Sequence, residues 1–393
     1  MENPFRFGGE LSQDELVDRQ EELQQVVETI RTGEKLFLIG PRRYGKTSIL
    51  HAASQVAREQ GAIVFRYNCE AFPTLRDLTE RIFRDATAAL ISPTTKAAKS
   101  IKELFTQLKP EFSVNLLEQT VSASIGVSEE KDAAQIPLLV DALHGIEALA
   151  KKNKQPVGII LDEFQHVIEL GGDTAERQLR AAVQEHRKVA YVFAGSKTRM
   201  MAEMVNDHAR PFYRLGSRRF LGIVPRAEFL PWLQEQFAKG KITATEETLT
   251  ILLDAAEDVP YDIQRLASTI WSMMTGQNLK KLTPEIITNA CQKLIEQNNP
   301  LYTNTWNQLT ANQQKTLLQI RAEEGTGLMT KRVSKRTGLA VTTIQKNLEA
   351  LRDKGILFTE EKPNQVRWRF EDPFFGMWIH YISDGVNNKI ILT

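Results

Sequence analysis

Residues 40–48 read GPRRYGKTS, which places two glycines, a lysine and a hydroxyl at the spacing that suits a polyphosphate. Gly40 and Gly45 allow the backbone to curl, so that successive N–H groups and the start of a following helix point at phosphate oxygens. Lys46 is then set to neutralise β and γ oxygens, and the Thr47 hydroxyl to ligate Mg2+. The run Gly40, Pro41, Arg42, Arg43, Tyr44, Gly45, Lys46, Thr47 and Ser48 is therefore a candidate nucleotide cradle. The rival reading, an ordinary glycine-rich turn, is disfavoured by the apolar strand-like run before it and the helical pattern after it.

Cleavage needs more than a cradle, namely an acid to support a metal and a base to activate water. The run VGIILDEF ends in Asp162 and Glu163. At the end of a buried strand the first carboxylate reaches toward the metal and the second can polarise an attacking water. Adjacent acids at a strand end are commonly just solvated; downstream of a phosphate loop the catalytic reading is preferred. In YVFAGS, Ser196 or the neighbouring Lys197 is a third strand-end candidate to reach the γ-phosphate, although a Gly-Ser exit is often only a turn.

These residues need a sheet to position them. Four short, nearly continuous apolar runs, at Lys35 to Ile39 and in GAIVFRYNC, PVGIILDEF and KVAYVFAGS, have the character of strands buried on both faces, with helical patterns between them. That alternation predicts a parallel α/β sheet. RRFLGIVP is a fifth strand candidate, after which the chain turns helical for about eighty residues. Upstream, VDRQEELQQVVETIRTGE predicts a helix capped by Asp18, with Glu21 completing a capping box. The segment FSVNLLEQTVSASIGVS alternates with period two and predicts a β-hairpin inserted between sheet elements, read as a structural flap rather than a binding device.

From Leu309 the pattern changes. Thr310 and Gln313 form a capping box, and MTKRVSKRTGLAVTTIQKNLEALRDKGILF then gives a short helix, a turn at Gly338 and a longer helix. Ile344, Leu348 and Leu351 bury one side of that helix, leaving Thr342, Thr343, Gln345 and Lys346 on the other. ILFTEEKPNQVRWRF predicts a two-stranded wing turning at Lys362 to Asn364. Helix-turn-helix plus wing is the natural reading. Between Met329 and Lys354 seven basic residues face only Glu349 and Asp353, a local net charge of +5. Lys331, Arg332, Lys335, Arg336 and Lys346 would suit phosphate contacts flanking a helix whose Thr342, Thr343 and Gln345 enter a DNA groove. Docking to a protein, or a merely solvated basic face, is the alternative.

In order along the chain, NPFRFGGELSQDELVDRQEEL, GPRRYGKTSIL, IILDEFQHV, FAGSKTRMM, RPFYRLGSRRFLGIVP and VPYDIQRLASTIW resemble the archaeal-type ATPase family, in the STAND and AAA+ branch of P-loop NTPases, with the origin-recognition ATPases as relatives. The resemblance covers about the first 290 residues and is more specific than any one motif. It implies a P-loop core with a five-stranded sheet of order 51432, a helical lid, and a nucleotide held between them. Val17 and Arg19 match the family's adenine-side hhGRE box, with Asp18 at its glycine, where helix capping competes. Pro260 and Tyr261 match the lid segment GGxPY, with Glu257 and Asp258 in place of its glycines. Arg214, in PFYR, matches an arginine that senses the γ-phosphate or a neighbouring subunit; Arg210, Arg218 and Arg219 are rivals, Arg265 is a weaker candidate in the lid helix, and a surface ion pair is the plain alternative. EDPFFGMW resembles the EDPFxxFW that closes the family's winged-helix module. The nuclease-like domain that follows in many relatives is not carried over.

Composition bounds the rest. The chain has 393 residues, 42% apolar and 25% charged, with 50 basic against 49 acidic residues. A net charge of +1 argues against a general polyanion binder, so any nucleic-acid surface is local. No apolar run approaches a membrane span and the first residues lack a secretion signal, which predicts a cytoplasmic protein. Cys69 and Cys291 lack ligand-spaced partners and read as packing residues. The expected domains are a core over 1–225 with the hairpin near 110–128, a lid over 226–299 and a winged helix-turn-helix over 300–393. The expected function is an ATP- and Mg2+-dependent switch, slow or assembly-stimulated in hydrolysis, acting through DNA or as a homo-oligomer or larger protein assembly. The second reading is a nucleotide-binding regulator with little hydrolysis, in a defence, mobile-element or replication assembly. A small-metabolite phosphotransferase is disfavoured because no acceptor site is legible.

Overall fold

The structure is a computed structural model that describes residues 2–90, 113–115, 120–122, 136–196, 198–362 and 365–383. It divides into two compact units, Glu10–Gly222, and Met1–Gly9 together with Ile223–Thr393.

The first unit holds the sheet. In chain order its elements are α1 (Gln20–Thr32), β1 (Lys35–Ile39), α2 (Lys46–Glu59), β2 (Ile63–Asn68), α3 (Leu75–Leu90), α4 (Ile136–Ala150), β3 (Val157–Asp162), α5 (Gln165–Gly171), α6 (Ala175–Glu185), β4 (Val189–Gly195), α7 (Thr198–Asn206) and β5 (Ser217–Phe220). The strands pair in the order β2-β3-β4-β1-β5, and every pair is parallel. This is the predicted order 51432 read from the other edge. Neighbouring strands face each other as Phe37↔Phe193 and Ile159↔Tyr191.

Successive side chains of one strand enter different cores, which is why the runs read as continuously apolar. Leu36 and Leu38 of β1, Ile160 of β3 and Val192 of β4 pack with Leu23, Val26 and Ile30 of α1 and Ile49, Leu50 and Ala53 of α2. Phe37, Ile39, Ile159, Leu161, Tyr191 and Phe193 turn the other way, onto Leu78 and Ile82 of α3, Leu139 and Leu143 of α4, and Phe164 and Phe212. Each such apolar side chain contributes about 1.5–3 kcal/mol on burial. The two helical layers therefore fix the sheet, and with it the ends of β1, β3 and β4 where the candidate chemistry sits. A short antiparallel ribbon pairs Ser113–Asn115 with Thr120–Ser122, within the expected hairpin; the rest of that hairpin, including Phe112, Ile125 and Val127, lies outside the described residues.

One local expectation fails. The start of α1 is capped by Arg19, not Asp18, and has no side-chain cap. Asp18 and Arg19 both take left-handed backbone, at φ 58° and 73°, and the Arg19 guanidinium reaches the Gly222 carbonyl at 2.5 Å. A long-range bond has set the start of the helix where the local capping rule would place a carboxylate.

The second unit is helical with a small ribbon: α8 (Arg226–Lys239), α9 (Glu246–Ala255), α10 (Pro260–Gly276), α11 (Pro284–Asn307), α12 (Ala311–Ala322), α13 (Lys331–Thr337), α14 (Val341–Asp353), β6 (Leu357–Lys362), β7 (Gln365–Phe370) and α15 (Pro373–Ser383). α11 packs against α10 and also against α15, where Tyr302 and Trp306 meet Phe375 and Trp378. The Thr310–Gln313 capping box forms, Ile344, Leu348 and Leu351 are buried, and β6 pairs antiparallel with β7, from Leu357↔Phe370 to Lys362↔Gln365. The turn residues 363 and 364 lie outside the described residues.

Candidate nucleotide site

The loop Gly40–Gly45 joins the C-terminal end of β1 to α2. Gly45 caps the helix at φ 89°, with open space where a side chain would stand, so the helix N-terminus is bared toward the loop. A Cβ here would be strained by the backbone itself. Arg43 is also left-handed, at φ 68°. Lys46 is buried and its ammonium donates to the carbonyls of Gly40 and Pro41, at 2.8 and 2.9 Å, curling the loop around the cation. Tyr44 is buried, whereas Arg42 turns to Glu70 at 3.2 Å. The Ser48 hydroxyl accepts from the Leu11 N–H at 3.4 Å.

β3 delivers the acids. Thr47 Oγ1 donates to Asp162 Oδ2 at 2.9 Å, and Asp162 Oδ1 accepts the Glu163 N–H at 3.0 Å. Glu163 stands at φ 50°, and its Oε2 accepts from Ser196 N–H at 3.2 Å, Ser196 Oγ at 2.6 Å and Gln165 Nε2 at 2.5 Å. Burial and the neighbouring Glu163 charge raise the Asp162 carboxyl above its ordinary range, against the opposing pull of Thr47 and Lys46. Burial pushes Glu163 the same way, but the Lys46 charge and the Ser196 and Gln165 bonds outweigh it, and its pKa ends lowered. A buried acid and its half-buried neighbour beside a hydroxyl form an oxygen donor set that a divalent cation complements. Thr47, Asp162, Glu163, Ser196 and Lys46 are thus brought together; Gln165, which sequence reasoning missed, joins them from the first turn of α5. Its spacing from the acids carries no recognisable signal.

Other predicted residues are placed less directly. Val17 is buried, and Arg19 is held by the Gly222 carbonyl and by Glu22 at 3.5 Å. Pro260 opens α10 in the second unit. Arg214 is exposed at φ 55°, with its guanidinium 5.0 Å from the Tyr213 ring, and has no carboxylate partner among the described residues. Its rivals are engaged: Arg210 with Glu176, Arg218 with Asn206, and Arg219 with Gln25 and Glu21. Arg265 is buried against Asp372 at 3.3 Å, Asp262 at 3.7 Å and the Phe374 ring. Lys197 lies outside the described residues. Asp18, Glu257 and Asp258, which the resemblance sets against glycines, take left-handed backbone, at φ 58°, 50° and 58°. Asp258 binds Arg226 at 2.7 and 2.9 Å, and Glu257 binds Arg369 at 3.1 Å.

On α13 and α14, Lys331, Lys335, Thr342, Gln345 and Lys346 are exposed and Thr343 is half-buried. Arg332 and Arg336 are exposed too, but both guanidiniums pair with Glu323, whose side chain is 6% exposed. Gln345 bonds Glu349 at 3.2 Å.

Residues 15–193 match a family model described as an AAA ATPase domain. No curated protein matches the sequence. Among solved structures, the chain is similar to the Walker-type ATPase PABY2304 of Pyrococcus abyssi, at 14% identity and a TM-score of 0.60, covering 96% of this chain and 99% of that one. It is also similar to the Aeropyrum pernix ORC2 protein in ADPNP-ADP complexes, at 15% identity and a TM-score of 0.56, covering 97% and 96%. The ADP form of that protein gives 15% identity and 0.50, covering 96% and 95%. At these identities the likeness is one of fold. No helix among the described residues is long and apolar enough to cross a membrane. The segment 15–193, with its parallel strand order β2-β3-β4-β1-β5, is thus similar to an AAA ATPase domain.

Proposed function

We propose that this chain is an ATP-binding and ATP-hydrolysing switch of the STAND and AAA+ type, dependent on Mg2+, that couples nucleotide state to DNA binding or partner assembly through a winged helix at residues 300–393. The observation that carries the reading is the joining of Thr47 to Asp162 at 2.9 Å, with Glu163 beside it and the Lys46 ammonium under the loop. Thr47 and Asp162 would hold Mg2+, which supplies positive charge to the β and γ phosphates when bound. Lys46 leaves its two loop carbonyls for phosphate oxygens, which are stronger acceptors because they are charged. Glu163 orients and polarises the attacking water, and the Ser196 hydroxyl lies within reach of the same carboxylate. Arg214, exposed on a strained turn with no acid to hold it among the described residues, suits action on a neighbouring protomer's nucleotide, which would make a lone protomer slow. Val17 and Arg19 serve in this reading as base-side residues of the core, and residues 226–299, which include Pro260, as the helical lid domain.

Glu163→Gln should bind ATP and ADP as the parent does and lose about 100-fold or more in turnover, measured by phosphate release against nucleotide affinity. Unchanged turnover removes Glu163 from the mechanism. Tight ATP binding with no turnover in the parent, with or without added DNA, favours the nucleotide-binding regulator instead.

A further inference from the structure

Gln165 is 1% exposed, and the two ends of its amide are treated unequally. Nε2 donates to Glu163 Oε2 at 2.5 Å, while Oε1 has no hydrogen-bond partner among the described residues. The carboxylate fixes which way the amide faces, since the reverse would set oxygen against oxygen. An amide oxygen buried without a donor carries a desolvation cost that an apolar side chain of the same shape would not, which offsets part of what the amide gains through its bond to Glu163. Gly195 leaves the room this oxygen needs: a Cβ there would lie 2.5 Å from Gln165 Oε1 and 2.8 Å from Met201 Cγ. From the adjoining residue, Ser196 sends both its hydroxyl and its N–H to the same Oε2 of Glu163. Three donors converge on one carboxylate oxygen, and Glu163 Oε1 is bonded by none among the described residues. The left-handed backbone of Glu163 restricts the carboxylate further.

We propose that Gln165 is a positioning residue for hydrolysis: together with Ser196 it pins Oε2 of Glu163, so that Oε1 is the oxygen offered to the attacking water. The inference rests on the ATPase reading above. It accounts for a buried, half-bonded amide that packing alone would not select. Glu163 then has one rotamer from which to act, and near-attack geometry is sensitive to shifts of an ångström.

The test compares the full chain with Gln165→Met and Gln165→Glu by steady-state ATP turnover, ADP binding, and thermal unfolding without nucleotide. Gln165→Met should lower kcat about tenfold or more, leave KM and ADP affinity within about twofold, and change Tm by only a few degrees, since the relieved Oε1 offsets the lost Nε2 bond. Gln165→Glu keeps the shape but sets a second carboxyl against Glu163 Oε2, so that the two repel or share a proton, and should lower kcat at least as far. An unchanged kcat in the folded Met variant overturns the proposal. So does a loss of kcat accompanied by a proportionate rise in KM and fall in Tm, the pattern of a residue needed only for folding. If the Met variant does not fold, the Glu variant decides by the same criteria. A parent chain that binds ADP without turning over ATP overturns the ATPase reading and this inference with it; the parent's rate distinguishes that outcome from failure at Gln165 alone.

Discussion

His186 is 1% exposed with both ring nitrogens engaged: Nδ1 lies 2.7 Å from the Tyr191 hydroxyl and Nε2 lies 3.0 Å from His144 Nδ1. Lys35 donates to its carbonyl at 2.6 Å, and Glu147 accepts the N–H groups of Arg187, Lys188 and Val189 nearby. Burial lowers the imidazole to about 4; Glu147 opposes the shift, and His144, Lys35 and Lys151 add to it. An unfolded histidine titrates near 6.5, so between these values the unfolded chain binds the proton and the folded one does not. Stability is therefore complete above about pH 6.5 and is lost as pH falls toward 4, by on the order of 3 kcal/mol for the whole shift. Urea unfolding at about pH 7 and pH 4.5 should reveal this slope, and His186→Gln should flatten it while lowering stability at pH 7 through the lost Tyr191 and His144 partners. A slope unchanged by the substitution would assign the acid sensitivity to other groups.

α10 and the segment before α15 are tied by charge as well as by apolar contact. Arg265 is buried between Asp262, its neighbour on α10, and Asp372, which also accepts from the Tyr302 hydroxyl at 3.0 Å. Removing one member of such a group strands the others in low dielectric, so Arg265→Met should cost about 3 kcal/mol or more, read from chemical unfolding. Because the guanidinium is held here, ADP affinity measured on the folded fraction should stay within about twofold; a large loss would return Arg265 to the nucleotide. This tie was not legible in the sequence, where Arg265 and Asp372 carry no sign of each other. β1, β3 and β4 were legible because burial on both faces erases polar alternation, and the loop and acids because their spacing and place at strand ends are local. β5 was only partly visible, since an edge strand reading SRRF has little apolar signal of its own. The meeting of Ser196 and Gln165 on Glu163 depends on β3 lying beside β4, which no local pattern states.

Across the whole molecule the charges nearly cancel, so a DNA surface would have to come from local imbalance. The two arginines on α13 are already paired with Glu323, which leaves Lys331, Lys335, Lys346 and Lys354 as the exposed cations of that region without an acid partner among the described residues. If those four make phosphate contacts, duplex DNA binding by the full chain should fall with a slope of about −3 to −4 in log K against log salt. Lys331→Glu with Lys335→Glu should weaken binding across all sequences and reduce the slope by about 2. Glu323→Gln acts in the opposite sense: it removes the charge that holds Arg332 and Arg336, so binding should tighten and the slope steepen by 1–2, about one unit per arginine released. Fluorescence anisotropy with a labelled duplex from low to physiological salt measures all three. Absence of binding at low salt in the parent and in Glu323→Gln alike would make this basic face a docking surface for protein, and nucleotide state would then be transmitted through assembly instead of DNA.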